Sequence, residues 1–295
     1  MTGKHPVLNF VPDPPGWKVN VPPESMVLYG SRLVLIVHGY NNDEDEAAHS
    51  YDILFESLRE LVPNPDVLRS VWEVYWPGYV NISGKKRTAL SAFSYPAQVR
   101  KAVRIGRALG SFLNSVAVGR ESMEVLFVAH SLGCRVVLET IRNLSTANVS
   151  VKAICLMAAA VPVTHVSSAG ALRPAADAAE KRYILHSPAD TVLKRYFRAG
   201  QLGDSWSEAV GRFGNPRSYW DVRLSNNVNT GLDHGEYYTG KPKRDALGPS
   251  RTHPIISRLL GRPLPMYPRS NDPYTVTWTP PENLIGENKI RSNRI

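Results

Sequence analysis

Ser131 stands in the run Phe127-Val128-Ala129-His130-Ser131-Leu132-Gly133, where an apolar stretch of strand length gives way to a helical one. A serine hydroxyl becomes a nucleophile when a base takes its proton and a tight strand-to-helix turn pushes it clear of the backbone. That turn requires small residues two positions to either side. Gly133 meets the requirement on one side, and Ala129 meets it on the other with one methyl group more than glycine. The competing reading is that Ser131 only caps the helix after it. Two later residues bear on the choice. Asp190 follows His186-Ser187-Pro188-Ala189, past one strand and before a short helix, where a carboxylate can accept the second ring N–H of a histidine or merely cap the helix opened by Thr191. His234 lies in the glycine-flanked loop Gly231-Leu232-Asp233-His234-Gly235, and an imidazole titrates near neutral pH, as a general base must. A lone loop histidine is usually plain surface. Here the order serine, acid, histidine is the one that acyl-transfer chemistry on a parallel sheet uses. His253 is the main competitor for the base, but it precedes Pro254 at a helix start, while His165 and His186 come before the acid.

A developing oxyanion needs backbone N–H donors, and a glycine turn can present one. His38-Gly39-Tyr40-Asn41-Asn42-Asp43, at the end of the first clear strand, supplies such a turn. The Tyr40 and Leu132 N–H groups are assigned to the oxyanion hole, and His38 to bracing the loop. An ordinary strand-to-helix turn would use the same Asn and Asp residues for their turn and capping propensity. No His/Cys/Asp/Glu spacing resembles a zinc site, and neither a P-loop nor a dinucleotide glycine pattern occurs, so no metal or cofactor is expected.

These residues need a scaffold that brings strand ends together. Arg32–Val37 reads as a strand buried on both faces, and Glu44–Leu61 as an amphipathic helix with an acidic first turn. Val71–Trp76 is a second strand, Ala97–Ala117 a helix with a stripe of Val99, Val103, Gly106, Gly110, Leu113 and Ala117 opposite Arg100, Arg104 and Arg107. Val125–Ala129 is a third strand, Leu132–Leu144 a helix, Val151–Ala159 a fourth strand, Tyr183–His186 a fifth, Thr191–Phe197 a short helix, and Tyr219–Leu224 a sixth strand. Alternation of this kind, with right-handed crossovers, gives an α/β fold whose mostly parallel sheet is covered by helices on both faces. The segment from Val161 to Arg182 is too short for a large cap domain.

Taken together, His38-Gly39-Tyr40-Asn41-Asn42, Trp76-Pro77, Ala129-His130-Ser131-Leu132-Gly133, Asp190, Arg198-Ala199-Gly200 and Asp233-His234 resemble a bacterial α/β-hydrolase family of unknown function. The resemblance runs from about Leu33 to Tyr238. It implies the α/β-hydrolase fold and a serine triad of Ser131, Asp190 and His234, and it names no substrate. The expected activity is hydrolysis of a carboxylic ester through an acyl-enzyme on Ser131. Transfer of the acyl group to an alcohol or amine, or a binding module that kept the sheet and lost turnover, are the alternatives.

Composition bounds the rest. The 295 residues are 43% apolar and 21% charged, the balance of a globular domain. The expected layout is a proline-rich segment over 1–30 that supplies one or two edge strands, a catalytic domain over 31–262, and a basic tail over 263–295. Cys134 and Cys155 fall in buried stretches and read as core residues rather than a disulfide pair. Without a signal-like N-terminus the expected location is cytoplasmic. The net charge of +9 is concentrated in two zones, eight Lys/Arg and no acid from Lys85 to Arg120, and ten Lys/Arg against four acids from Lys241 onward. That charge favours anionic partners, including acyl esters that carry a phosphate and the surface of an anionic membrane. Specific nucleic-acid binding is not expected, because the basic zones lack interleaved aromatic residues.

Overall fold

Five stretches of mainly apolar, β-branched sequence, at 32–37, 71–76, 125–129, 151–159 and 183–186, alternate with helix-forming segments, and the computed structural model of the chain assembles them on one sheet. It describes residues 5–21, 32–40, 42–62, 64, 67–68, 71–79, 90–118, 122–145, 148–198, 207–214, 225–239 and 252–260. In chain order the elements are β1 (Val7–Asp13), β2 (Gly16–Asn20), β3 (Arg32–Val37), α1 (Glu44–Arg59), β4 (Val71–Tyr75), α2 (Leu90–Ala117), β5 (Met123–His130), α3 (Gly133–Arg142), β6 (Val149–Met157), α4 (Arg173–Asp177), β7 (Lys181–His186), α5 (Val210–Phe213), β8 (Ser225–Asn229) and α6 (Thr252–Leu260). The strand order across the sheet is β2-β1-β4-β3-β5-β6-β7-β8. Every neighbouring pair is parallel except β1 and β2, which form an antiparallel hairpin at one edge.

The strand order follows from two crossovers. From β3 the chain passes through α1 to β4 on one side. It then passes through α2 to β5 on the other side of β3, so right-handed connections put α1 and α2 on opposite faces. The α/β expectation of a mostly parallel sheet with helices on both faces therefore holds. The β6–β7 connection carries only a helical turn, Val163–Val166, and α4, and no large cap is inserted there. Among the described residues no helix is long and apolar enough to cross a membrane.

Local sequence explains where the elements start. Asp43 caps α1 reciprocally, accepting the Glu46 N–H at 3.0 Å while the Glu46 carboxylate accepts the Asp43 N–H at 3.0 Å. The inner face of α1 carries Ala47, Tyr51, Leu54, Phe55 and Leu58. Tyr51 reaches between strands, its hydroxyl 3.2 Å from the Ile36 carbonyl and 3.0 Å from that of Val74. Arg135 and Glu139 form a buried ion pair on α3, and Arg135 also donates to His165 Nδ1 at 2.7 Å, which ties the Val163–Val166 turn to that helix. Both cysteines are buried and free.

Two sequence expectations shift. Helix α2 begins at Leu90 rather than Ala97 and carries Pro96 inside its second turn, at the cost of one i→i−4 hydrogen bond. Its buried face is centred on Ala102, Ile105, Leu109, Phe112 and Leu113, while Val99 and Val103 flank that face half-buried. The expected strand at 219–224 lies outside the described residues, and the strand that pairs with β7 is Ser225–Asn229.

Helices α2 and α3 meet through glycine. A Cβ on Gly106 would lie 2.6 Å from Glu139 Cβ and 2.7 Å from the Val136 carbonyl oxygen. Helix propensity alone favours alanine there by about 1 kcal/mol. Overpacking works the other way by roughly 1–3 kcal/mol, so Gly106→Ala should lose up to roughly 2 kcal/mol net in urea unfolding. A gain in stability would show that the two helices separate freely.

Candidate active site

The carboxyl ends of β3, β5, β7 and β8 share one rim of the sheet, the place where parallel α/β sheets present their reactive loops. After β5 the chain turns sharply. Ser131 adopts φ 53°, the left-handed region that a non-glycine residue rarely enters, and α3 starts two residues later. The turn is held by Ser131 N–H donating to the Met157 carbonyl at 2.9 Å, and by its own carbonyl accepting from Cys134 and Ala160 at 3.1 Å each. Its tightness depends on what is missing around it. A Cβ on Gly133 would fall 2.3 Å from the His38 carbonyl oxygen, and one on Gly39 would fall 2.8 Å from Ser131 Cβ. Ala129 is fully buried beneath the turn.

The other two residues arrive from β7 and β8. His234 Nδ1–H donates to Asp190 Oδ2 at 2.7 Å, and His234 Nε2 accepts the Ser131 hydroxyl at 2.9 Å. Asp190 is 0% exposed, and its second oxygen accepts the Leu193 N–H at 2.8 Å, so the carboxylate is engaged on both sides. The structure thus brings together all three residues that the sequence pattern pairs. His253 lies elsewhere, bonded to the Tyr238 carbonyl at 3.0 Å; His165 faces Arg135, and the His186 ring packs against Gly214.

Residues 28–198 match the family described as "alpha/beta hydrolase of unknown function (DUF900)". The chain belongs to that family. No curated protein matches it. Among solved structures, a carboxyl esterase 2 from the fungus Tuber melanosporum is similar at 14% identity over 88% of each chain, with a TM-score of 0.39. The catalytic core domain of an acetyl xylan esterase from Trichoderma reesei is 14% identical over 43% of this chain and 63% of its own, with a TM-score of 0.29. An extracellular α/β-hydrolase from a Paenibacillus species is 13% identical over 77% of this chain and 97% of its own, also at 0.29.

In this α/β hydrolase the main chain of His234 is clamped as firmly as its ring. Asp233 Oδ1 accepts the His234 N–H at 2.8 Å, the Thr191 N–H at 2.8 Å and the Thr191 hydroxyl at 2.9 Å, joining the loop after β8 to the loop after β7. Burial pushes the Asp233 carboxyl up, but the backbone donors from Thr191 and His234 outweigh it and hold the group below its ordinary value. His130 Nε2–H donates to the His234 carbonyl at 2.8 Å. Its Nδ1 is buried without a partner among the described residues, 3.0 Å from where a Gly39 Cβ would sit. Sequence reasoning did not assign these roles to Asp233, Thr191 and His130. Only the first left a readable signal, an aspartate with Glu236 three residues on, the pattern of a capping box. Gly235, next to His234, has nothing within 4 Å of its Cβ position.

On the β3 side, both ring nitrogens of His38 are bonded. Its Nδ1–H donates to the Gly39 carbonyl at 2.9 Å, its Nε2 accepts the Trp76 N–H at 3.1 Å, and the Trp76 indole N–H donates back to the His38 carbonyl at 2.9 Å. The rings stack at 5.6 Å. The Leu132 N–H donates to no partner among the described residues. Tyr40 bonds Ser94 Oγ through its hydroxyl at 2.8 Å and meets Tyr95 edge to face at 5.8 Å, and Tyr95 meets Phe197 at 6.5 Å. Asn41 lies outside the described residues. Among those described, no group of three His, Cys, Asp or Glu side chains is placed to hold a metal ion.

Burial holds two of these imidazoles neutral. His130 is lowered to about 3, with His234 adding to the effect, and His38 is lowered to about 4. Both titrate near 6.5 when unfolded, so below that pH the unfolded chain takes up protons that the folded chain refuses. Stability should therefore fall as pH drops from about 6.5 toward 4, each histidine contributing at most about 1.4 kcal/mol per pH unit. His130→Gln should flatten that slope in urea unfolding followed across this range, and an unchanged slope would mean that His130 is readily protonated in the fold.

Proposed function

We propose that this α/β hydrolase is a serine hydrolase that cleaves carboxylic esters through an acyl-enzyme on Ser131. The observation that carries this reading is the continuous run of hydrogen bonds from Asp190 through the His234 ring to the Ser131 hydroxyl, ending at a residue held in a strained turn.

In the first half-reaction Ser131 Oγ attacks the acyl carbonyl carbon while its proton passes to His234 Nε2. The Tyr40 and Leu132 N–H groups receive the oxyanion. Collapse of the tetrahedral intermediate expels the alcohol, which leaves with the proton from His234. In the second half a water molecule gives its proton to His234 and attacks the acyl carbon, and Ser131 departs with that proton as the acid is released. Asp190 keeps the Nδ1–H tautomer, so that Nε2 is free to accept, and it stabilises the imidazolium between the two transfers. His38, Gly39, Ala129 and Gly133 support the two turns that carry the donors and the nucleophile. The aromatic run of Tyr40, Tyr95 and Phe197 begins at the assigned oxyanion donor and is a suitable apolar surface for an acyl chain.

A panel of p-nitrophenyl esters of rising chain length tests the reading. Wild type should turn over at least one ester and take a fluorophosphonate label. Ser131→Ala should do neither, and Asp190→Asn should retain binding with kcat lowered about 10⁴-fold. Undiminished turnover in Ser131→Ala would remove the proposal.

A further inference from the structure

Trp17, Ala97, Arg100, Lys101 and Arg104 line a cleft of about 240 Å³ between β2 and the early turns of α2. Arg100 and Arg104 are one helical turn apart and exposed, and neither makes an ion pair or hydrogen bond among the described residues. Lys101 is half-buried between them in sequence, and its ammonium donates to the Pro77 carbonyl at 2.9 Å and approaches that of Tyr79 at 3.5 Å. Three cations thus share one concavity, and no acid occurs anywhere between Lys85 and Arg120 to balance them.

We infer that this cleft is a binding site for a phosphate group, borne by a small organic phosphate or by a lipid headgroup. Two guanidinium forks spaced by one turn suit the geometry of a phosphate better than two ammonium groups would, and charge-assisted bonds of this type are the strong ones. The half-buried Trp17 indole provides a flat apolar wall for the part of the ligand next to the phosphate. The cleft lies on the same rim of the sheet as Ser131. Trp17 pairs with Pro12, three residues past the level at which Asn9 pairs with Tyr75, so it projects beyond the carboxyl end of β4. The carbonyl that Lys101 holds belongs to Pro77. The next residue, Gly78, is so close to the turn beside the nucleophile that a Cβ on it would lie 2.8 Å from the Gly39 carbonyl oxygen.

The test uses the full chain carrying Ser131→Ala, so that binding is read without turnover and stands or falls apart from the esterase reading. Calorimetry with inorganic phosphate and glycerol phosphate forms one arm. Sedimentation with phosphatidylcholine vesicles, with and without phosphatidylglycerol, forms the other. Binding in the first arm assigns a soluble phosphate, and binding only in the second assigns a headgroup. In either case Arg100→Gln/Arg104→Gln should weaken it at least tenfold, while Lys194→Gln/Arg195→Gln, an equal loss of charge at exposed positions elsewhere, should leave it within twofold. Absence of binding in both arms, equal binding by the Arg100/Arg104 double variant, or an equal loss in the Lys194/Arg195 control would each overturn the inference.

Discussion

Adjacent parallel strands lie about 4.8 Å apart, and at the ends of β3 and β5 two turns must pass within that spacing. Neither turn has room for a side chain at its point of closest approach: Gly133 faces the His38 carbonyl and Gly39 faces Ser131. This steric limit governs the geometry of Ser131. With Gly133 pressed against the end of β3, α3 begins directly after the turn. Ser131, caught between strand and helix, is driven into a left-handed conformation that a residue with a Cβ adopts only under constraint. The surrounding sheet supplies that constraint through backbone bonds from Met157, Cys134 and Ala160.

With Ser131 fixed at the end of a central strand, the longer reach falls to its hydrogen-bond partners. β8 lies three strands from β5, roughly 15 Å away, so the chain after it must double back across the rim to bring an imidazole to Ser131. A free loop of that length would lose considerable entropy on ordering. Here bonds from Asp233, Thr191 and His130 order the peptide around His234 independently of the bonds its ring makes to Asp190 and Ser131. The ring then needs only Asp190 to fix its tautomer, and most of the preorganisation resides in the main chain.

Much of this architecture is legible in the residues alone because its physics is local. Runs such as Leu33–Val37 and Val125–Ala129 are apolar on both faces and announce buried parallel strands; small residues around Ser131, and acid and histidine in order past later strands, announce the site. The features that stay hidden depend on neighbours. β8 consists of Ser225, Asn226, Asn227, Val228 and Asn229, and it is a strand because β7 offers it a ladder, with almost no apolar pattern of its own. On α2 the expected stripe holds at Gly106, Gly110, Leu113 and Ala117, which are buried, and fails at Val99 and Val103, which are apolar enough to pass for core but stay half-buried while Ile105 and Leu109 are buried. His130 reads as an ordinary residue before a serine, and its bond to a carbonyl 104 residues on is a product of topology alone.

Gly235 has a different kind of consequence. Its neighbour His234 is locked from several directions, yet at Gly235 itself a Cβ would meet nothing within 4 Å, and its φ is not among the positive values that demand glycine. A position beside His234 with open space at its Cβ is an attachment point. A cysteine introduced there would carry a spin label or fluorophore next to the imidazole without crowding the fold. Bulkier residues at the same place would let substrate preference drift over generations while the machinery underneath stayed as it is.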